Sequence, residues 1–313
     1  MKTASSPSSR STTLLRWSGT FVALGILVWL LWRQGWDEVA ASFRRIELWR
    51  VALALGLMVV SRLAVTARWH VLLRSAGVKT SFGQTARLTF AGLFASNVLP
   101  TSVGGDIVRL GGGLRMGFDP AITLSSLVVD RLVGMAAYAM AVPLGLPAFI
   151  RHLPEIVPRL KETGLAGAPL AAAVSRTTWR DKAVAAVRRT VQAFELWLHK
   201  PAALLLALAS SWVRMACDFL IAALLLAGMG EPLPLALIAG LWSIVYFVTL
   251  FPVSINGIGW QELSATLLFS LIGGVSAASA GVLALFLRLL PMLVSLPGAL
   301  FVGDLIAGQK ASR

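Results

Sequence analysis

Leu99-Pro100-Thr101-Ser102-Val103-Gly104-Gly105-Asp106 and Phe251-Pro252-Val253-Ser254-Ile255-Asn256-Gly257 are two versions of one pattern, and the second soon reaches its own acid, Glu262. Further along, Arg131-Leu132-Val133-Gly134-Met135 is matched by Arg288-Leu289-Leu290-Pro291-Met292. Two matches in the same order divide the chain into two similar halves. Proline and glycine expose backbone hydrogen-bonding groups, which hydrocarbon cannot satisfy, so such breaks survive at membrane depth only against protein or a wet cavity. The first break ends an outward-going segment and the second an inward-going one, which predicts an inverted repeat with a transport site near the midplane. Pro100, Gly104, Gly105, Pro252, Gly257 and Gly259 are the helix-breaking residues of these elements.

The surrounding sequence is that of a membrane protein. Hydrophobic residues make up 57% and charged residues 13%, with a mean hydropathy of +0.78, too apolar for a soluble surface. Long apolar runs occur at Leu14–Trp32, Val51–Thr66, Ile122–Ile150, Ala202–Met229, Leu233–Val253 and Ala277–Val302. Shorter ones follow Leu88 and Leu263. The expected fold is all-α, a polytopic transmembrane bundle of about 6–8 membrane segments whose two Pro/Gly elements are re-entrant or end in loops. Residues 1–13 read as a disordered cytoplasmic tail, 14–306 as one transmembrane domain and 307–313 as a C-terminal tail. Within the domain, half one is 14–150, a basic cytoplasmic loop is 151–200, and half two is 201–306. That loop carries nine basic against four acidic residues, with an amphipathic helix expected over Thr178–His199. Segments Leu88–Pro100 and Ile122–Ile150 form an out-and-back pair in this scheme, and both termini are cytoplasmic. A retained first helix is expected, since Trp32, Arg33 and Gln34 stand where a signal peptide would have small residues.

The net charge of +14 fits cytoplasmic loops and anionic lipid rather than nucleic acid. The single Cys217 excludes a disulfide framework, and His70, His152 and His199 have no metal-ligand spacing. No metal, cofactor or catalytic residue is expected, and no enzyme motif is present. The eleven tryptophans, clustered near span ends, suit an interfacial belt.

Charges within apolar runs carry more information, because each costs at least about 2.5–3.5 kcal/mol at the bilayer centre. Arg214 and Asp218 share one helix face at i,i+4, and Asp130 and Arg131 lie within a span. Arg288 has no acid within a helical turn, so its partner must come from another segment or a ligand. A guanidinium holds phosphate oxygens in a bidentate fork, which suits a lipid headgroup entering a cavity. The substrate-binding candidates are therefore Arg109, Arg131, Arg288, Asn97 and Arg214, with Asp106, Asp130, Asp218 and Glu262 as proton or ion-pair candidates. Arg62 and Arg68 read as side chains that snorkel to the interface.

The run from Ser96 and Asn97 through Gly104, Gly105, Asp106 and Arg109 to Asp130 and Arg131 resembles the first signature of the lysylphosphatidylglycerol synthase transmembrane, or flippase-like, family. The segment from Phe251 through Asn256, Gly257, Ile258, Gly259 and Glu262 to Arg288 is similar to the second. The resemblance implies a multi-pass plasma-membrane protein. In its namesakes this region moves aminoacylated phosphatidylglycerol to the outer leaflet. The namesakes carry a soluble aminoacyl-transfer domain after the membrane region, and this sequence stops at Arg313; Asn256 and Trp260 stand where smaller residues are common. The expectation is a flippase or transporter for an anionic lipid, a phospholipid or polyprenyl phosphate. The alternatives are a membrane enzyme of lipid-linked sugar or aminoacyl-lipid metabolism, and an accessory subunit for a synthase or glycosyltransferase.

Overall fold

In this computed structural model the described residues are 36–99, 104–162, 196–251 and 254–307, with positions 25, 28 and 32. Most of the first apolar run, the N-terminal tail, residues 308–313 and most of the predicted amphipathic helix lie outside them. The chain forms α1 (Trp36–Arg45), α2 (Leu48–Ser75), α3 (Phe82–Val98), α4 (Gly104–Arg115) and α5 (Pro120–Glu162). Then follow α6 (Pro201–Gly228), α7 (Leu235–Thr249), a single 3₁₀ turn, α8 (Trp260–Leu271), α9 (Ala277–Ser295) and α10 (Gly298–Ala307). By length and composition α2, α5 over Pro120–Arg151, α6 and α9 can each cross a membrane. Their outer faces keep leucines exposed, among them Leu53, Leu144, Leu205 and Leu289, as a lipid-facing surface requires.

Local signals set the helix ends. Ser81 and Gln84 form a capping box, with Ser81 Oγ accepting from the Gln84 amide at 3.2 Å and Gln84 Oε1 accepting from the Ser81 amide at 2.9 Å. Pro201 opens α6, where a missing N–H does no harm. At α9, Ser276 caps the helix while Glu231 accepts from the Ser276 amide (2.6 Å), its hydroxyl (2.7 Å) and the Ser279 hydroxyl (2.8 Å).

The end-to-end contacts fix the topology. At one end of the bundle Ser75, which closes α2, receives hydrogen bonds from Trp197 Nε1 (3.0 Å) and Lys200, which precede α6. At the other, Arg50 near the start of α2 donates to the carbonyl of Leu224 near the end of α6 (3.4 Å). Helices α2 and α6 are therefore antiparallel. Phe118, just after α4, packs with Val78, just before α3, and with Leu73, so the α3–α4 hairpin starts and finishes at the first end. Leu233 meets Gly273, and Glu231 meets Ser276, so α7–α8 starts and finishes at the second. Helix α2 with α3, α4 and α5 is thus repeated upside down as α6 with α7, α8 and α9. Contacts follow the same symmetry: α3–α4 answers α7–α8, α4–α5 answers α8–α9, α5–α7 answers α9–α3, and α5–α6 answers α9–α2.

Two corrections to the sequence reading follow. Helix α3 does not cross: α4 folds back along it, so α5 starts at the first end and runs to the second, and the out-and-back pair does not exist. Helix α5 also continues through Arg151 as far as Glu162, into the expected loop. Gly145 of α5 lies against Gly240 near the start of α7, which places Arg151 near the second end, whereas Lys200 sits at the first. Arg151 and Lys200 therefore lie toward opposite ends of the bundle, and residues 163–195 lie outside the described residues.

Glycines allow the tightest crossings. A Cβ on Gly240 would stand 2.0 Å from the Gly145 nitrogen, and one on Gly105 2.5 Å from the Gly92 carbonyl oxygen. Gly240→Leu is expected to push α7 off α5 and lower stability by about 1–3 kcal/mol, read as a lower melting temperature in detergent. Burial pushes the Glu231 carboxyl up, but its serine hydrogen bonds outweigh this and hold it below the ordinary glutamate range. A depressed carboxylate stabilises the fold fully above its unfolded pKa of about 4.3 and progressively less as pH falls through the lower folded value. The melting difference between wild type and Glu231→Ala should shrink on acidification across that window.

Candidate functional site

The tips of the two hairpins, in their described residues 96–99 and 254–259, meet inside the bundle. At the second break Asn256, Gly257 and Gly259 adopt left-handed backbone, with φ of 51°, 71° and 78°. Asparagine tolerates that region better than other side-chain-bearing residues. Its side chain donates to the carbonyl of Ser96 at the first tip. Beside it Asn97 Nδ2 donates to Ser295 Oγ at 2.8 Å, tying that tip to α9. The Asn256 carbonyl accepts from both terminal nitrogens of Arg288 at 3.2 Å, and Trp260 Nε1 donates to the Val248 carbonyl at 3.0 Å. The bulkier Asn256 and Trp260 thus hold the second break in shape.

Beside the tips lies a cavity of about 310 Å³. Arg62 from α2, Arg214 and Asp218 from α6, Arg288 from α9, and Asn97 and Asn256 from the tips line it. Asp218 accepts from Ser61 (3.0 Å) and from the Tyr138 hydroxyl (2.7 Å), while Arg214 lies 3.7 Å away. Tyr138 stacks on Tyr246, with centroids 4.2 Å apart, and both rings line the wall. Arg288 Nε stands 3.4 Å from Glu262, whose other carboxylate oxygen has no hydrogen-bond partner among the described residues. Leu250 and Phe251, both exposed, complete the lining with an apolar rim.

A second charge cluster lies in the other half. Asp130, only 2% exposed, receives Arg68 at 2.7 Å on one oxygen and Arg109 at 3.2 Å on the other. Asp106 accepts from Arg109 at 3.5 Å and from Arg131 at 2.5 Å. Arg68 also donates to Ser211 (3.2 Å), and Gly134 leaves it room, since a Cβ there would lie 2.7 Å from its Nη1. The Arg109 guanidinium stacks 4.0 Å from the Trp69 ring.

The structure therefore sorts the candidate residues. Arg288, Arg214, Asn97 and Asp218 surround the cavity, and Glu262 stands directly behind it. Arg109, Arg131, Asp106 and Asp130 do not line it; they knit α2, α4 and α5 together. Arg62 and Arg68 do not snorkel: they are 8% and 5% exposed, Arg62 because it lies inside the apolar run and lines the cavity, Arg68 because α2 continues to Ser75, well past the end of that run at Thr66. Gly104 and Gly105 open α4, whereas Pro100 and Pro252 lie outside the described residues. Among the described residues no group of three His, Cys, Asp or Glu side chains could hold a metal.

The internal repeat detected in the sequence reappears as chemistry. Arg131 with Asp106 and Arg288 with Glu262 are equivalent ion pairs, each joining the long helix of a half to the first turn of its returning hairpin helix. A comparison with curated proteins found no match. The model of the lysylphosphatidylglycerol synthase transmembrane region matches residues 16–298, nearly the whole bundle and both breaks, and on that match the chain belongs to this family of membrane proteins.

Proposed function

We propose that this protein moves a lipid with an anionic, phosphate-bearing headgroup across the plasma membrane, the headgroup passing through the central cavity while the acyl chains stay in the bilayer. One observation carries the reading: three guanidiniums, of Arg62, Arg214 and Arg288, surround a cavity where two inverted halves meet. Removing a cation from water into such a place is unfavourable unless an anion answers it, and phosphate oxygens accept from a guanidinium in pairs. The exposed Leu250 and Phe251 at the rim give the acyl chains an apolar exit. Inverted halves supply the movement, since each can take the conformation of the other and so present the site to either leaflet.

Charge at the two ends orients the bundle. Arg74, Lys79, Arg115 and Lys200 gather at the first end, where α10 also finishes, whereas Asp37, Glu38, Glu47 and Glu231 offset the basic residues at the second. The first end is cytoplasmic on the positive-inside rule. Asp218 lies in the cavity wall, whereas Asp130 is clamped between two arginines away from it. The protein acts as a carrier rather than an enzyme in this reading.

The test is translocation of fluorescent phosphatidylglycerol in vesicles reconstituted with the purified chain. Arg288→Ala should slow translocation by at least about tenfold, the loss of one charge-assisted contact; because it also strands the buried Glu262 carboxylate it should lower the melting temperature, so translocation is compared per folded protein. Full activity in a folded Arg288→Ala protein would remove this residue from the pathway. Metal-dependent turnover of a polyprenyl phosphate without lipid movement would instead favour an enzyme, and lipid movement only with a co-purifying synthase would favour an accessory subunit. Asp130→Asn should act differently. It leaves Arg68 without a carboxylate and Arg109 with only the long contact to Asp106, and is expected to lower stability by about 3–5 kcal/mol, a loss visible in the melting curve before any transport measurement.

A further inference from the structure

Resting on that reading of the cavity, we infer that Arg62 is the primary counter-ion for the headgroup, and that the cavity accepts a headgroup with one net negative charge, a phosphodiester rather than a phosphomonoester or diphosphate. The argument is one of charge pairing. Arg214 faces Asp218 at 3.7 Å and Arg288 faces Glu262 at 3.4 Å, so each of these cations has a carboxylate. Arg68, the next arginine along α2, is taken by Asp130. Arg62 has no carboxylate within ion-pair distance among the described residues. Its Nε and Nη2 point instead at the sulfur of Met58, 3.3 and 3.2 Å away, one turn back on the same helix. A thioether is a weak acceptor and carries no charge.

Arg62 is therefore a guanidinium more than nine-tenths buried, aimed along a cavity wall beside Arg214 and sharing with it the field of the single Asp218 carboxylate, so the three cavity arginines exceed their acids, Asp218 and Glu262, by one charge. A leucine would pack there without that penalty, so the empty cavity is the less stable state and an anion relieves it. One excess positive charge matches one phosphodiester. A phosphomonoester carries about −1.5 to −2 at neutral pH, and its surplus would face the Asp218 carboxylate across the same small space. The volume of about 310 Å³ suits a headgroup without its tails.

Binding to the purified full chain tests this without requiring transport. Ligands are phosphatidylglycerol, phosphatidic acid and the water-soluble glycerophosphoglycerol, and binding is read from quenching of tryptophan fluorescence, since Trp242 lines the cavity, together with the melting temperature. Two opposite effects are expected of Arg62→Gln. The lipid-free protein should melt a few degrees higher than wild type, because a stranded charge is gone, while affinity for phosphatidylglycerol falls by at least about tenfold. Arg62→Lys should keep part of that affinity. A residue that only supports the fold would give the reverse: an Arg62→Gln protein that melts lower, or fails to fold, overturns the inference, as does unchanged phosphatidylglycerol affinity. Tighter binding of phosphatidic acid than of phosphatidylglycerol overturns the single-charge match. Equal binding of glycerophosphoglycerol overturns the lipid as the source of the phosphodiester. If wild type binds phosphatidylglycerol through Arg62 but moves none of it, the transport reading fails and this one stands.

Discussion

Hydrocarbon offers no hydrogen bonds, and the rest of this structure depends on how the chain answers that at its two breaks. Backbone that leaves the helix at membrane depth must be satisfied by protein. Here the two tips satisfy each other: Asn256 reaches the Ser96 carbonyl, and Arg288 supports the Asn256 carbonyl in turn. Because both tips must reach the same interior point, each hairpin enters from its own end and folds back. That requirement makes the halves inverted, sets α2 against α6, and leaves a polar space where the tips come together.

The two charge clusters show what each half does with its share of that space. In the first half, Asp130 sits between Arg68 and Arg109 while Asp106 bridges to Arg131, so the acids are multiply satisfied and the helices are drawn together. In the second, the equivalent pair of Arg288 and Glu262 is longer, one carboxylate oxygen is unpartnered, and the guanidinium borders an opening. Equivalent residues in unequal environments are what a symmetric sequence yields when it occupies an asymmetric state. Small rigid-body shifts that close the second cluster and loosen the first would exchange those environments without unfolding any helix.

The sequence carried the repeat because Pro, Gly, Asn and the acid after them cannot be replaced freely at a depth where backbone groups need partners. It carried the ion pairs of Arg288 and Arg131 only as a question, since their acids lie outside any helical turn and meet them through the fold of the hairpin. Arg62 and Arg68 were misplaced for a definite reason. Hydropathy ends the second span at Thr66, where Arg68, His70 and Arg74 begin, but the helix continues to Ser75 and buries Arg68 against Asp130 of α5 and Ser211 of α6, while Arg62, inside the apolar run, lines the cavity. Such burial leaves no trace in a local window, because the compensating Asp130 is far along the chain. The return of α3 through α4 was hidden in the same way: an apolar run states that a helix can enter the membrane, not whether it leaves by the other side.

Arg288 holds two posts, as a support of the break and as a wall of the cavity, and their geometry reconciles them. Both terminal nitrogens share the single Asn256 carbonyl at 3.2 Å, and the Gln261 oxygen lies at 3.4 Å, so these nitrogens are held by long and shared bonds rather than by a bidentate carboxylate. Glu262 stands behind it at 3.4 Å and keeps the charge compensated whether or not an anion is present. A phosphate oxygen arriving from the cavity can therefore take one arm of the fork while the other keeps the Asn256 carbonyl satisfied. Arg62, with only a thioether to lose, gives up nothing when the anion arrives. On the proposed reading, an anion would gain most of its charge compensation from α2 and its orientation from the tip, so the site joins a long helix of one half to the meeting point of the two hairpins.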